Sequence, residues 1–199
     1  VLMFPEASYS FDGTATPLPS RLGLLFKRLN VPVIMVRTYG AFTRDPLYNG
    51  LKKRKVNVSA KVSVLFGKDE LSSMSVQEMD ERLENAFSFD NFAWQKENGI
   101  VVGEKFRADG LERILYKCPH CGSEGTTKGS VEYIKCSACG KTYFLNELGE
   151  ISATAGEKTE FSHIPDWYAW QRECVRQQLS DDTYKTDIPV KIGMLVDYK

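Results

Sequence analysis

Two Cys-x-x-Cys pairs constrain this chain more than any other feature of its sequence. Cys118-Pro-His-Cys121 is followed, after fourteen residues, by Cys136-Ser-Ala-Cys139, and a glycine follows each pair. Two short cysteine pairs at such spacing are typical of a tetrahedral zinc site, and four thiolates leave the metal no open position. The sequence therefore predicts a small four-cysteine zinc ribbon over residues 116–145, in which the zinc is structural and these four cysteines are its ligands.

Redox chemistry is the alternative use of these cysteines, and His120 lies within the first pair as a possible ligand. With four thiolates present, we expect His120 to face solvent. The aromatic residues of the ribbon could stack on bases, although so small a unit needs them for its core: Tyr116, Tyr133, Tyr143 and Phe144. The chain carries 26 Lys+Arg against 26 Asp+Glu. Because binding to a polyanion needs a clustered basic excess, no nucleic acid is expected as a partner.

The first hundred residues alternate between strand and helix patterns. Strands are expected at 1–4, 31–36 and 56–66, and helices at 21–29 and 75–87. Ser20 is the expected N-cap of the first helix, and a Ser75-x-x-Glu78 capping box opens the second. The continuous apolar run at 31–36 predicts a strand buried on both faces, whereas the alternation at 56–66 predicts one wet face. This order favours an α/β domain with a mixed sheet.

The rest of the chain divides around the ribbon. A stretch rich in glycine and charge predicts a boundary, with a linker over 101–115 after a first domain at 1–100. Residues 146–199 read as a polar linker, a helix from about Pro165 to Leu179, and the start of a further β element at 188–198. Cys174 falls on the apolar side of that helix and is expected to be buried. Because the sequence opens and closes within apolar runs, we expect it to be a fragment.

Composition bears on location as well. No apolar run approaches the ~20 residues that a membrane span requires. Cysteines paired at short spacing favour a reducing compartment, so a cytoplasmic location is expected. The one dense basic run, Lys52-Lys53-Arg54-Lys55, is either a solvated loop or a contact with anionic headgroups, at roughly 1 kcal/mol per charge.

A second motif has a specific resemblance. The segment Phe4-Pro5-Glu6-Ala7-Ser8-Tyr9-Ser10, followed by a helix and then Val31-Pro32-Val33-Ile34, resembles two sequence blocks of the glycerolipid acyltransferases, the 1-acyl-sn-glycerol-3-phosphate acyltransferase family. Glu6 falls on the glutamate of a block that reads Phe-Pro-Glu-Gly-x-Arg-Ser, and Pro32 on the proline of the next block. The likeness continues through Tyr39-Gly40-Ala41, 69–75, 92–95 and 167–171, and the cysteine-rich insert matches a bacterial subgroup.

This resemblance implies that residues 1–100 are the C-terminal part of an acyltransferase α/β domain. The family transfers a fatty acyl group from acyl-CoA or acyl carrier protein to the hydroxyl of a lysophospholipid or glycerol phosphate, in phospholipid biosynthesis, which implies a possible peripheral position on the inner face of the membrane. Residues 4–10 would then bind substrate. The family's catalytic dyad is His-x-x-x-x-Asp, but neither His120 nor His163 has an aspartate at that spacing. The dyad is therefore expected upstream of Val1, and the fragment alone is expected to be inactive.

Two positions depart from the family block. Ala7 replaces the glycine, and Tyr9 stands where arginine is expected. A tyrosine hydroxyl cannot match the charge or the paired hydrogen bonds that arginine offers to a phosphate. Arg21 or Arg37 could supply the missing cation, or the acceptor differs from a simple glycerol phosphate. The alternative is a non-catalytic interaction protein, in which an acyltransferase-like scaffold carries the zinc ribbon.

Overall fold

Two antiparallel sheets and six α-helices make up most of the regular structure of residues 1–185, the part of the chain that the computed structural model describes. The helices are α1 (Leu22–Leu29), α2 (Ala41–Arg44), α3 (Lys68–Ser73), α4 (Val76–Phe87), α5 (Asn91–Glu97) and α6 (Ile164–Ser180). The strands are β1 (Val33–Tyr39), β2 (Ser59–Phe66), β3 (Thr127–Ser130), β4 (Tyr133–Cys136), β5 (Thr142–Leu145) and β6 (Ile151–Ala153). Short 3-10 turns lie at Leu47–Asn49, Lys105–Ala108 and Leu111–Arg113. The β element expected at 188–198 lies outside the described residues.

The α/β class is confirmed, but the mixed sheet is wrong for the described residues. The first sheet consists of β1 and β2, which run antiparallel with Val36 opposite Val62. A parallel pair would need residues 1–4 beside β1, and these residues form no strand. Instead, the amide of Ala7 donates to the carbonyl of Phe4 at 3.1 Å, which closes a turn where the strand was expected to end.

Burial of the first sheet also differs from the expectation. β1 alternates between half-buried and exposed residues, and Ile34 and Val36 are 53% and 60% exposed. On β2, Val62 and Val64 are each 65% exposed, so these aliphatic residues lie on a solvent-exposed face of the strand. An apolar pattern fixes which residues share a face, but it holds no information on whether another layer covers that face.

The helices of the first hundred residues pack around Phe66 at one end of the sheet. This core contains Leu22, Phe26, Phe66, Leu71, Met79 and Leu83. A Cβ on Gly23 would lie 2.8 Å from the Cβ of Met79, so the absence of a side chain allows α1 and α4 to approach closely. The capping box of α4 is confirmed, since the Ser75 hydroxyl accepts from the amide of Glu78 at 3.2 Å.

The predicted cap of α1 is wrong. Arg21, not Ser20, occupies the N-cap position, and its side chain makes no capping hydrogen bond. The carboxylate of Asp80 accepts from the amide of Gly23 at 2.6 Å instead. A helix N-terminus needs an acceptor for its free amides, and here a residue 57 positions away in the sequence supplies it.

A second core joins the ribbon to the first hundred residues. It combines Tyr48 and Phe92 with apolar residues of β4, β5 and β6 and with Trp167 of α6. The segment 101–115, expected as a linker, contributes fully buried Ala108, Leu111 and Leu115. A Cβ on Gly129 would clash with the carbonyl oxygen of Ala108, so β3 packs directly against this segment.

The basic run at 52–55 is only partly a surface feature. Arg54 is buried, and its guanidinium donates to the Tyr48 hydroxyl at 2.8 Å and to the carbonyl of Arg107 at 3.1 Å. Lys52 forms an ion pair with Asp109 at 2.9 Å. Nε of Arg54 is buried without a hydrogen-bond partner, so only the two terminal nitrogens of the guanidinium are bonded. Neither sequence interpretation of the run describes a buried arginine of this kind.

Candidate functional site

The ribbon is a four-stranded antiparallel sheet in the order β3-β4-β5-β6. The first cysteine pair precedes β3, and the second pair begins at Cys136, the last residue of β4. The amide of Gly122 donates to the carbonyl of Cys118 at 2.9 Å, and the amide of Gly140 donates to that of Cys136 at 3.0 Å. The two glycines have φ angles of 74° and 79°. Both turns therefore use the left-handed backbone that glycine adopts without strain.

All four predicted ligands come together. The sulfur atoms of Cys118, Cys121, Cys136 and Cys139 lie within 4.8 Å of one another. Two of the Sγ–Sγ distances, Cys118–Cys139 and Cys121–Cys136, are 3.8 Å. A tetrahedral zinc site with Zn–S bonds of about 2.3 Å has S–S edges of about 3.8 Å. The cluster could thus hold a metal ion such as zinc, and His120, with a half-exposed side chain, is not part of it.

The four thiols differ in acidity because their surroundings differ. Burial raises the pKa of Cys118 to about 12. Burial also acts to raise the pKa of Cys136, but hydrogen bonds from the Thr126 hydroxyl and from the backbone amides of Cys139 and Ala138 outweigh it and bring the pKa to about 6. Metal binding requires thiolates, so binding to this site releases protons.

A largely buried ion pair connects the segment 152–162 to the ribbon. Nζ of Lys141 lies 2.7 Å from Oε1 of Glu160, and the Tyr143 hydroxyl donates to Oε2 of Glu160 at 2.7 Å. Burial opposes ionisation of Glu160, but the bonds from Lys141 and Tyr143 prevail and hold its pKa at about 2. The polar stretch at 152–162 is therefore anchored through Glu160, although it was expected to be a linker.

The ribbon aromatics divide between core and surface. Tyr143 is buried, and its ring centroid lies 5.0 Å from that of Trp167. Tyr133 and Phe144 pair on the sheet at 5.4 Å, with Tyr133 exposed and Phe144 half-buried. Tyr116 is half-buried. The expected core role thus describes Tyr143, whereas Tyr133 lies on the surface of the ribbon.

The loop that resembles an acyltransferase block borders a cavity of about 200 Å³. Of its seven residues, Glu6, Ser8 and Ser10 line this cavity, while Phe4, Pro5, Ala7 and Tyr9 do not. Oε1 of Glu6 accepts from the amide of Thr16 at 3.0 Å and from its hydroxyl at 3.3 Å. These bonds fold the loop back on itself and hold the glutamate at the cavity wall.

Three aromatic residues and one arginine also line this cavity. Phe42, Phe87 and Phe89 line it, together with Arg37 of β1. The guanidinium carbon of Arg37 lies 5.8 Å from the centre of the Phe89 ring. Arg21 is not among the lining residues, so Arg37 is the one of the two candidate cations that lies at this cavity.

A larger cavity, of about 480 Å³, contains none of the predicted site residues. Lys96, Glu150 and His163 line it, and Nε2 of His163 lies 3.1 Å from Oδ2 of Asp90. Asp90 also caps α5, since its carboxylate accepts from the amide of Ala93 at 2.9 Å. Sequence reasoning missed this histidine–carboxylate pair because its members are 73 positions apart and share no motif.

Within residues 1–185, no helix is both long and apolar enough to cross a membrane. Cys174, expected to be buried, is half-buried on α6.

Comparison with protein-family models, with curated proteins and with solved structures finds nothing that matches this chain.

Proposed function

We propose that this chain is part of an enzyme that transfers a fatty acyl group from acyl-CoA or acyl carrier protein to the hydroxyl of a lysophospholipid or glycerol phosphate. The observation that carries the proposal is the turn at residues 4–7, which holds Glu6 at the wall of a cavity of about 200 Å³. In this proposal the cavity takes the polar head group of the acceptor, and the acyl chain lies outside it.

The backbone of Ala7 supports the resemblance independently of residue identity. Its φ is 50°, in the left-handed region that disfavours a residue with a Cβ and suits glycine. The related acyltransferase block has glycine at this position. The chain thus keeps a glycine-type turn although it carries alanine there.

In this proposal Glu6 binds and orients the acceptor hydroxyl, and Ser8 and Ser10 add hydroxyl groups beside it. Removal of the acceptor's proton requires a general base, a role worth about 10² to 10⁴ in rate. Neither histidine of the sequence lines the Glu6 cavity. The proposal therefore requires a His-x-x-x-x-Asp pair N-terminal to Val1, and residues 1–199 alone are expected to be inactive.

We further infer that the cysteine cluster holds a structural zinc ion. When bound, zinc supplies a closed tetrahedral cross-link between the two cysteine turns. Cys118 and Cys136 are buried, whereas Cys121 and Cys139 are exposed at the end of the ribbon. The ribbon would be a rigid element of the protein, and a membrane surface or a carrier protein would engage it from outside.

The first experiment is to read the coding sequence upstream of Val1 for His-x-x-x-x-Asp and to assay acyl transfer by the longer protein. In that protein, Glu6→Gln should abolish most of the transfer while the fold is kept, because glutamine still accepts the two bonds from Thr16. Glu97→Gln, on the exposed end of α5, is the matched control and should act like wild type. Wild-type rates for Glu6→Gln would remove Glu6 from the site.

The rival is a non-catalytic zinc-ribbon interaction protein. The observation that favours it is the aliphatic face of the first sheet, where Ile34, Val36, Val62 and Val64 are all more than half exposed. A longer protein that folds, binds zinc and carries the histidine pair, yet transfers no acyl group, would favour this rival.

A further inference from the structure

One face of the ribbon sheet is turned away from the core that lies against the other. Along the four strands, inward-facing residues alternate with seven residues that are exposed or half-buried: Lys128, Ser130, Tyr133, Lys135, Thr142, Phe144 and Ser152. None of these seven residues is acidic, and none is aliphatic. This outer face of the ribbon therefore combines aromatic rings, hydroxyl groups and lysine side chains.

The strand register places the two aromatic residues of the outer face side by side. Tyr133 of β4 lies directly opposite Phe144 of β5, and their ring centroids are 5.4 Å apart. The Phe144 ring also contacts the guanidinium of the buried Arg107, whose Cζ lies 5.5 Å from the ring centre. Tyr133 is 42% exposed, so its ring has a fixed neighbour on the sheet and remains open to solvent. A planar ligand can stack on such a ring.

A positive charge lies next to this aromatic pair. Lys135 follows Tyr133 by two residues on the same face of β4, a separation of about 7 Å along the strand. Lys135 lies directly opposite Lys128 of β3. Lys128 forms an ion pair with Glu112, whereas Lys135 forms none within residues 1–185. The charge beside Tyr133 is therefore the one that is available to an anionic ligand.

The composition of the outer face distinguishes between classes of partner. Protein–protein interfaces are depleted in lysine and serine, and this face has two of each. A surface that enters a membrane interface buries aliphatic or other apolar side chains over a wide area, and here only the aromatic pair is apolar. Proteins that bind single-stranded nucleic acid combine aromatic rings, on which bases stack, with cations that contact the phosphates. This last class fits the outer face best.

The even charge of the whole chain led to the expectation that no nucleic acid is bound, but that count carries no information on a single face. We propose that the outer face of the ribbon binds single-stranded nucleic acid, with one base stacked on Tyr133 beside Phe144 and a neighbouring phosphate bound by Lys135. Every base has a face that can stack, so we expect little sequence preference. This binding is a function separate from acyl transfer and does not depend on it.

Fluorescence anisotropy of residues 1–199 with labelled single strands of about 12 nucleotides, oligouridylate and oligothymidylate, tests the site at low ionic strength. Tyr133→Ala should weaken binding about tenfold, because it removes the stacking surface for one base. Tyr133→Phe should keep the affinity, since the ring is retained. Lys135→Gln should make the plot of log affinity against log salt concentration less steep by about 0.7, as expected for the loss of one phosphate contact.

Two control variants remove the same chemical groups elsewhere. Tyr184 is also 42% exposed but lies beyond the end of α6, and Tyr184→Ala should bind like wild type. Lys61 is exposed on β2 and has no ion pair in the described part of the chain, so Lys61→Gln should leave the salt dependence unchanged. Circular dichroism and metal content of each variant establish that the ribbon is intact. Wild-type affinity in Tyr133→Ala, or an equal loss in Tyr184→Ala, would overturn the proposal.

Three further probes separate stacking on bases from attraction to negative charge. A duplex of the same length should bind more weakly than the single strand, because its bases are already stacked on one another. Heparin and phosphatidylglycerol vesicles carry negative charge without bases, and any binding to them should be insensitive to Tyr133→Ala. Tighter binding to the duplex, to heparin or to the vesicles than to the single strands would overturn the proposal. So would the absence of any single-strand binding at protein concentrations up to about 1 mM, since even non-specific binding is usually tighter than this.

Discussion

The ribbon sheet and the first sheet are both short, antiparallel and rich in apolar residues, yet they differ in what lies against them. Ile134 of β4 is 1% exposed, because α6 and the segment 105–115 pack over that face of the ribbon. Val62 of β2 is 65% exposed, because no element within residues 1–185 covers its face. The comparison shows that burial of a strand is decided by the neighbouring layer rather than by the strand's own pattern.

The two regions also handle polar groups differently. Around the ribbon, Arg107 is buried and donates to the carbonyl of Leu145 at 2.8 Å and to Glu132 at 2.7 Å. On the first sheet, Arg37 and Lys61 face each other without an acidic partner in the described residues. Buried polar groups need partners within the protein, whereas charged groups that reach solvent can be hydrated instead.

The largest effect is expected from the metal. Chelation, or Cys118→Ser, should unfold the ribbon, because structural zinc contributes roughly 10 to 16 kcal/mol of apparent binding free energy. Hydrogen exchange should show loss of protection from 105 to 180, with protection retained around Phe66 and Met79, which belong to the other core. Metal content per chain measured on the same samples checks the stoichiometry of one ion.

Cys174→Ser is the control for this experiment, because Cys174 is outside the cysteine cluster. It should keep the metal and the exchange pattern. A ribbon that stays protected after complete metal removal would show that the apolar core suffices. Simultaneous loss of protection in both cores would show that the two regions unfold as one unit.

The second prediction contrasts one core residue of the ribbon with one residue of the exposed sheet face. Ile134→Ala should lower the free energy of unfolding by about 2 to 5 kcal/mol, because it leaves a cavity in a packed core. Val62→Ala should change it by no more than about 0.5 kcal/mol, as is usual for a surface position. Urea unfolding of both variants measures the difference, and a similar loss for Val62→Ala would mean that its face is covered in solution.

The third prediction concerns the ion pair between Lys141 and Glu160. Glu160→Gln should destabilise the protein by about 3 kcal/mol at pH 7, because it leaves the ammonium of Lys141 buried without its main partner. The pKa of Glu160 is about 2 in the folded protein against an ordinary value of 4.5. A depressed carboxyl pKa stabilises the fold above the ordinary value, and this stability is lost as pH falls through the folded value. The effect of the substitution should therefore shrink as pH falls from 4.5 towards 2.

Glu157→Gln is the control for Glu160→Gln. Both variants keep the four cysteines, so acid sensitivity of the thiolates affects their stability equally. The carboxylate of Glu157 lies 3.7 Å from Nζ of Lys141, but its side chain is half exposed. We expect a change within about 1 kcal/mol, as for other exposed ion pairs. Thermal unfolding of both variants from about pH 7 to about pH 3 provides the measurement. Equal destabilisation by the two substitutions would contradict the role assigned to Glu160.

Local features of the fold could be predicted from the sequence because their causes are local. The four cysteines come together as their spacing predicted, and Ser75 caps α4 through its bond to Glu78. The helix expected from Pro165 to Leu179 spans Ile164–Ser180. In each case the determining residues lie within a short stretch of sequence, so a sequence motif or a helical periodicity can reveal them.

Features that depend on distant residues could not be predicted. Asp80 caps α1, Arg54 is buried against Arg107, and Gln171 donates to the carbonyl of Ile114. Each of these contacts spans more than fifty positions of sequence. A polar residue that is buried because a distant partner satisfies it has the same local pattern as a solvated one. The candidate site shows the same limit, since Glu6 was found from its motif but only the structure selected Arg37 over Arg21.

The smallest effect is expected at the turn that places Glu6. Ala7 has a φ of 50°, and a left-handed conformation costs a residue with a Cβ about 1 to 2 kcal/mol. Glycine removes this cost but loses more conformational freedom on folding. Ala7→Gly should therefore be neutral or stabilising by up to about 1 kcal/mol, whereas Ala86→Gly in helix α4 should destabilise by up to about 1 kcal/mol.

The opposite signs make this pair informative, because both substitutions remove the same methyl group. Chemical denaturation that monitors the first region measures both changes. Destabilisation by Ala7→Gly equal to that by Ala86→Gly would mean that the turn at 4–7 is not held in solution. Glu6 would then have no fixed position at the cavity, and the proposed acceptor site would lose its geometric basis.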